Sequence, residues 1–171
     1  MTEATQQTTW NVELSRTEFI SRRGFDDVLA DIHSGLGHPH FADFIRRIGA
    51  IRDWDGYRAA VEAEAGSSGL MVFLELDMGA VISRDPSTVG SRLVRIIAGN
   101  PITMEAMTKS TPGAGAFAPV TILVFEATNG VRIRYDSLTS AVGDELTQAA
   151  STVASKLDAA VLDLLKAASA G

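Results

Sequence analysis

Between Arg92 and Asp136 the chain switches twice between strand and helix patterning, and few folds tolerate that order. An apolar run over 93–98 reads as a buried strand and stops at Gly99-Asn100-Pro101. Asn100 is a natural helix N-cap, and Pro101 suits the first helical position because its missing N–H would have had no partner there. A short helix and a Pro/Gly loop over 110–118 follow. A two-stranded hairpin then spans 120–126 and 131–135 and turns at Asn129-Gly130, a strong short-range hairpin signal. In its second strand Val131, Ile133 and Tyr135 fall on one face, and Arg132, Arg134 and Asp136 on the other.

The rest of the chain extends this pattern. Residues 1–9 are polar and read as a frayed tail, and loose alternation over 10–21 suggests a first strand. Phe25, Val28, Leu29, Ile32 and Leu36 keep the spacing of a one-sided helix, with Asp26 and Asp27 in the first turn, where negative charge suits the helix dipole. Two short amphipathic helices are expected in 38–66. The run 70–77 is apolar on both faces over most of its length, which predicts a strand in the interior of the sheet. A turn at 84–86 leads to the next strand, and the loop 110–118, with Pro112, Gly113 and Gly115, is expected to be irregular. A long helix over 141–168 closes the chain, with Leu146, Ala150, Val153, Leu157, Val161, Leu164 and Ala168 on one face. At 1.5 Å per residue it is about 40 Å long, enough to cross a sheet. These elements predict one α+β domain over 10–171, a two-layer sandwich with about five mostly antiparallel strands and the helices on one face.

Composition narrows the function classes. The chain has 171 residues, enough for one ordinary core, and its 46% apolar and 21% charged content is that of a globular protein. A net charge of −6 argues against a nucleic-acid partner, which calls for concentrated basic surface. With no cysteine, disulfides, thiolate metal sites and a cysteine nucleophile are excluded. The first ten residues lack the basic and apolar regions of a secretory signal, and no run approaches the roughly 18 apolar residues of a membrane span. The cytoplasm is the expected location.

The chain resembles the prokaryotic domain of unknown function 302 family. The resemblance rests on the 70–77 strand, Gly99-Asn100-Pro101 after a buried strand, the strand that begins Pro119-Val120-Thr121, the Asn-Gly turn and the closing Tyr135-Asp136. It covers roughly 68–168. It implies a compact α/β domain, commonly a homodimer, whose biochemical activity has not been settled. Two features depart from the family pattern. Asp77-Met78 stands where many relatives resemble Asp-His, and the 38–66 segment lengthens the usual short form.

Among candidate sites, the Asn100-Pro101 junction offers free helix amides to a carboxylate or phosphate, although capping alone explains it. With the following loop it predicts a ligand cleft formed by Asn100, Pro101, Thr103, Met104, Glu126, Arg134 and Tyr135. Glu75 and Asp77, two apart on a strand, share a face and could do acid–base work. His38-Pro39-His40, with Asp43 and His33 in reach, is the one metal-like cluster, but spacing fixes no third ligand and no metal site is assigned. Arg92, Arg95, Arg132 and Arg134 would hold an anion if they met on the open sheet face; Arg92 and Arg95 differ in parity, so only one can join the other two. No cofactor can be named. The expectation is a small homodimeric module that binds a small anionic or amphipathic ligand, with no nucleic-acid or membrane partner. The alternatives are an enzyme using Glu75, Asp77 or Glu126 as acid or base, and a protein-interaction module.

Overall fold

A computed structural model describes residues 6–88, 90 and 92–171. Five strands, β1 (Arg16–Ser21), β2 (Met71–Asp77), β3 (Leu93–Gly99), β4 (Val120–Ala127) and β5 (Gly130–Asp136), form one antiparallel sheet in the order β1-β5-β4-β3-β2. The helices are α1 (Phe25–Gly35), α2 (Phe41–Gly49), α3 (Trp54–Glu62), α4 (Met78–Ile82), α5 (Pro101–Thr108), α6 (Leu138–Val142) and α7 (Gln148–Ala170). Register separates the two faces of the sheet. Val94, Ile96 and Ala98 on β3, Val120, Ile122 and Val124 on β4, and Val131, Ile133 and Tyr135 on β5 are all buried. They form one core with Val28 and Ile32 of α1, Met107 of α5, and Ala154, Val161 and Leu165 of α7. The sandwich is therefore the expected α+β design, with the helical layer on that face. A smaller core joins Phe44, Ile48 and Val61 of the α2–α3 insertion to Met71 at the start of β2.

Several local expectations are corrected. β2 is an edge strand, not an interior one. Register explains its apolar character on both faces: Val72 packs against the main core, whereas on the other face Met71 joins the α2–α3 unit and Leu74 and Leu76 face solvent at 48% and 39% exposure; Phe73, at the register shift, also packs against α2–α3. The first strand begins only at Arg16, and residues 6–15 run along the domain without regular structure; the expected tail over residues 1–5 lies outside the described residues. Before the turn expected at 84–86, the chain forms the short helix α4, which the Asp77 carboxylate caps by accepting a hydrogen bond from the Ala80 amide at 2.8 Å. Within the loop expected to be irregular, Pro112–Ala116 forms a 3₁₀ turn with Ala114 fully buried. The hairpin turns at Thr128 and Asn129, one residue earlier than expected, because Ala127 already pairs with Gly130.

The expected closing helix is two helices. Gly143 adopts φ 62°, a left-handed conformation that stops α6, and α7 begins only after Thr147, whose hydroxyl caps the Ala150 amide at 3.2 Å. The two segments are tied together by Asp158 on α7, which is only 7% exposed. Its carboxylate accepts hydrogen bonds from the Tyr135 hydroxyl (2.5 Å), the Ser137 hydroxyl (2.6 Å) and the amides of Leu138 (2.9 Å) and Thr139 (3.1 Å). Two of the four donors are the otherwise unpartnered first amides of α6, so one side chain satisfies them and complements the positive end of that helix. Burial pushes the Asp158 carboxyl up, but the hydrogen bonds from Ser137, Tyr135 and Thr139 outweigh it and hold the group below the usual aspartate value. Burial and the neighbouring carboxylate raise the Tyr135 phenol.

Asp158→Ala should cost about 3 kcal/mol in urea unfolding at neutral pH, since it strands buried donors that water cannot reach. Because the folded carboxyl titrates below its unfolded value, its contribution is complete above about pH 4 and disappears as pH falls through the lower folded value. The stability gap between wild type and Asp158→Asn should therefore narrow on acidification, and a gap independent of pH would refute the assignment. Gly130, at φ 129°, lies so close to the Ser21 carbonyl that a Cβ would press into it. Gly130→Ala should destabilise by about 1–3 kcal/mol, measured by the same unfolding experiment.

Candidate functional site

The face of the sheet opposite the helical core carries the candidate site. In-register pairing places Leu76, Arg95, Leu123, Arg134 and Glu18 in one row across all five strands. Ionic pairs occupy its β5–β1 end. Glu18 accepts hydrogen bonds from Arg132 Nη1 at 2.5 Å and Arg134 Nη2 at 2.7 Å, and the Arg134 guanidinium also lies over the Phe125 ring at 5.2 Å. Arg16 donates to both carboxylate oxygens of Asp136, through Nε and Nη2, each at 2.6 Å. Hydrogen bonds from Arg134 hold the Glu18 carboxyl below its usual range, and Arg16 does the same for Asp136. These carboxylates stay ionised and hold their arginines in place.

Arg95 differs from its neighbours. Among the described residues it has no carboxylate partner, and its one polar contact is Nη2 to Thr121 Oγ1 at 3.4 Å. Register decides the parity question in its favour. Arg95 pairs across the sheet with Leu123 and so shares the face of Arg134, whereas Arg92 forms an ion pair with Asp26 and covers the Phe25 ring at 4.3 Å. Arg95 borders a groove of about 540 Å³, within the size range of small-molecule sites. Thr121, Leu123, Arg134 and Asp136 form its floor. Phe117 and Pro119 supply one wall from the segment entering β4, Leu138 and Ala141 of α6 supply another, and Leu14 and Met78 close the rims. The α6 wall is the element that Asp158 holds in place.

The residues expected to form one cleft are spread over three places. Asn100 Oδ1 accepts hydrogen bonds from the Ile102 and Thr103 amides at 2.8 and 3.4 Å, and its Nδ2 donates to the Gly69 carbonyl at 2.8 Å. Its side chain is occupied as a cap and as a tie to the chain before β2. Pro101 is buried at the first helical position, and Thr103 and Met104 border a recess of about 10 Å³, room for roughly one water. Tyr135 faces the core. Glu126, opposite Val131, is at the far end of the hairpin, about 13 Å along the strand at 3.3 Å per residue. Arg134 alone of the seven borders the large groove. Leu14, Phe117, Thr121 and Leu123 border it too, and nothing in their local sequence marks them, because strand register and chain crossings bring them together.

The remaining candidates have local partners. Glu75 Oε2 is 2.6 Å from His33 Nε2, and Asp77 caps α4. His38 Nε2 meets the His33 carbonyl at 3.0 Å, and His40 Nδ1 is 2.7 Å from Asp43. Among the described residues no three His, Asp or Glu side chains converge as a metal would require, and no helix is long and apolar enough to cross a membrane.

Comparison with known proteins gives a family and a fold. The family model described as "Domain of unknown function DUF302" matches residues 50–164. A solved structure from Bacillus stearothermophilus, described as an uncharacterized conserved DUF302 protein, superposes with a TM-score of 0.60 at 11% identity, covering 88% of this chain and 95% of that one. At that identity the likeness concerns the fold alone. No curated protein matches the chain. With the family model spanning most of the chain, and the sheet, hairpin and long final helix all in place, this protein belongs to the DUF302 family.

Proposed function

We propose that this domain is a homodimeric small-molecule-binding or accessory module whose ligand occupies the groove on the open face of the sheet. The observation that carries the reading is Arg95, which has no carboxylate partner among the described residues, beside a largely apolar groove of about 540 Å³ whose other arginines are held in ion pairs. Apolar surface and one oriented charge are the usual constituents of a ligand site. Of the titratable groups that border the groove, Arg16 and Asp136 pair with each other, Arg134 pairs with Glu18, and Arg95 is suited to holding an anion, which favours binding over acid–base catalysis. The hydrogen-bonded pair Tyr135 and Asp158 is buried in the opposite layer and acts on the fold. Leu74 and Leu76 on the edge strand extend an apolar strip past the groove, a surface suited to the second subunit.

The amphipathic dye 1-anilinonaphthalene-8-sulfonate is a suitable first probe. It should bind at one site per chain, and the double substitution Phe117→Ala, Leu123→Asn should weaken binding about ten-fold by removing apolar contact area. Asn100→Ala should lower stability by about 1 kcal/mol through the lost cap and leave dye affinity unchanged. Native mass spectrometry of protein purified from its own host should report a dimer with a retained small molecule. A bare monomer whose dye binding ignores the groove substitutions would sink the proposal.

A further inference from the structure

We infer that the groove selects an amphipathic carboxylate, with Arg95 and Thr121 as the anchor for its head group. The inference rests on the groove being the ligand site, and it assigns the chemistry recognised there.

The charge arrangement comes first. Three arginines border the groove: Arg16 is paired with Asp136 at 2.6 Å, and Arg134 shares the single Glu18 carboxylate with Arg132. Among the described residues Arg95 alone of the three has no carboxylate partner, in a chain whose net charge is −6. The groove therefore offers an anion one guanidinium that no acid occupies. A carboxylate matches it. A phosphate monoester would bring close to two negative charges beside the Asp136 carboxylate, which also borders the groove.

Geometry adds a second donor. Arg95 Nη2 donates to Thr121 Oγ1 at 3.4 Å, which uses the hydroxyl as an acceptor and leaves its own proton free to donate. Both side chains stem from adjacent strands on the same face, since Arg95 pairs with Leu123, and Thr121, two residues earlier on β4, shares the Leu123 face. A carboxylate next to Arg95 would accept from the guanidinium fork and from Thr121 together. Leu123, Phe117, Met78 and Leu14 then receive an apolar body, and the exposure of Phe117 and Met78, 41% and 38%, is the surface that such a body would cover.

The test compares ligands that share a tail and differ in head group: decanoate, n-decanol and decyl phosphate, titrated into the full chain by calorimetry and by amide-shift mapping of Thr121 and Leu123. Decanoate should bind about ten-fold or more tightly than decanol, as expected for charge-assisted hydrogen bonds. Arg95→Gln should abolish that preference while leaving decanol affinity within about two-fold. Arg95 is exposed and makes no ion pair among the described residues, so the variant should fold like wild type, and its thermal midpoint verifies this. If decanol binds at the groove as tightly as decanoate, the carboxylate inference fails and the groove survives. Tighter binding of decyl phosphate overturns the carboxylate preference in the same way. Equal loss of decanoate and decanol in Arg95→Gln would make Arg95 a structural residue. If none of the three ligands shifts Thr121 or Leu123, the groove reading falls as well.

Discussion

The buried carboxylate of Asp158 is the interaction on which the arrangement of the layers depends. It takes a proton donor from β5, one from the Ser137 turn and two from the start of α6, and it does so from the middle of α7. An aspartate in such a place is costly unless each oxygen is satisfied, and here each oxygen accepts two hydrogen bonds. Apolar packing between α7 and the sheet sets the two layers against each other without fixing their register. The directional bonds of Asp158 fix it, because they are made only when Tyr135, Ser137 and α6 all arrive in place. Since α6 is also a wall of the groove, the same carboxylate shapes a site on the opposite side of the sheet.

The open face is organised by a different rule, the neutralisation of charges in cross-strand pairs. Glu18, Arg132 and Arg134 form one network and Arg16 with Asp136 another, so most of the ionic capacity of β1 and β5 is spent within the sheet. Partly exposed pairs of this kind contribute little to stability. Their larger consequence is to single out Arg95, whose row neighbours Leu76 and Leu123 offer it no acid. Beside that one charge, Phe117 and Leu14 are brought in by segments that belong to neither layer, which turns a flat sheet face into a groove.

Errors in reading the chain locally fall where a distant contact decided the outcome. β2 was expected inside the sheet because both its faces are apolar, but an inserted helical pair can bury one side of an edge strand as well as a neighbouring strand can. The 110–118 loop has the composition of irregular chain, yet burial of Ala114 against the core and a hydrogen bond from the Ala114 amide to the Thr111 carbonyl (3.0 Å) give it a 3₁₀ turn. The expected closing helix over 141–168 has its apolar face from Leu146 onward, and its first residues belong instead to α6, which the φ of 62° at Gly143 separates from α7. Asp158 escaped notice because a single acidic residue on a helix is ordinarily solvent-facing.

The amino-acid sequence by itself determined the α+β class, the hairpin, the one-sided α1, the Asn100-Pro101 helix start and the family, because each depends on periodicity or capping within a few residues. Only the tertiary structure decided strand order, which arginine stays unpaired and where the groove lies. These depend on register, and a shift of one residue would exchange the two faces of a strand and with them Arg95 for Ile96. The expected cleft gathered residues that are close along the chain or alike in chemistry. The groove gathers residues from β1, β3, β4 and β5, the 3₁₀ segment and α6, and strand pairing together with chain crossings makes them neighbours.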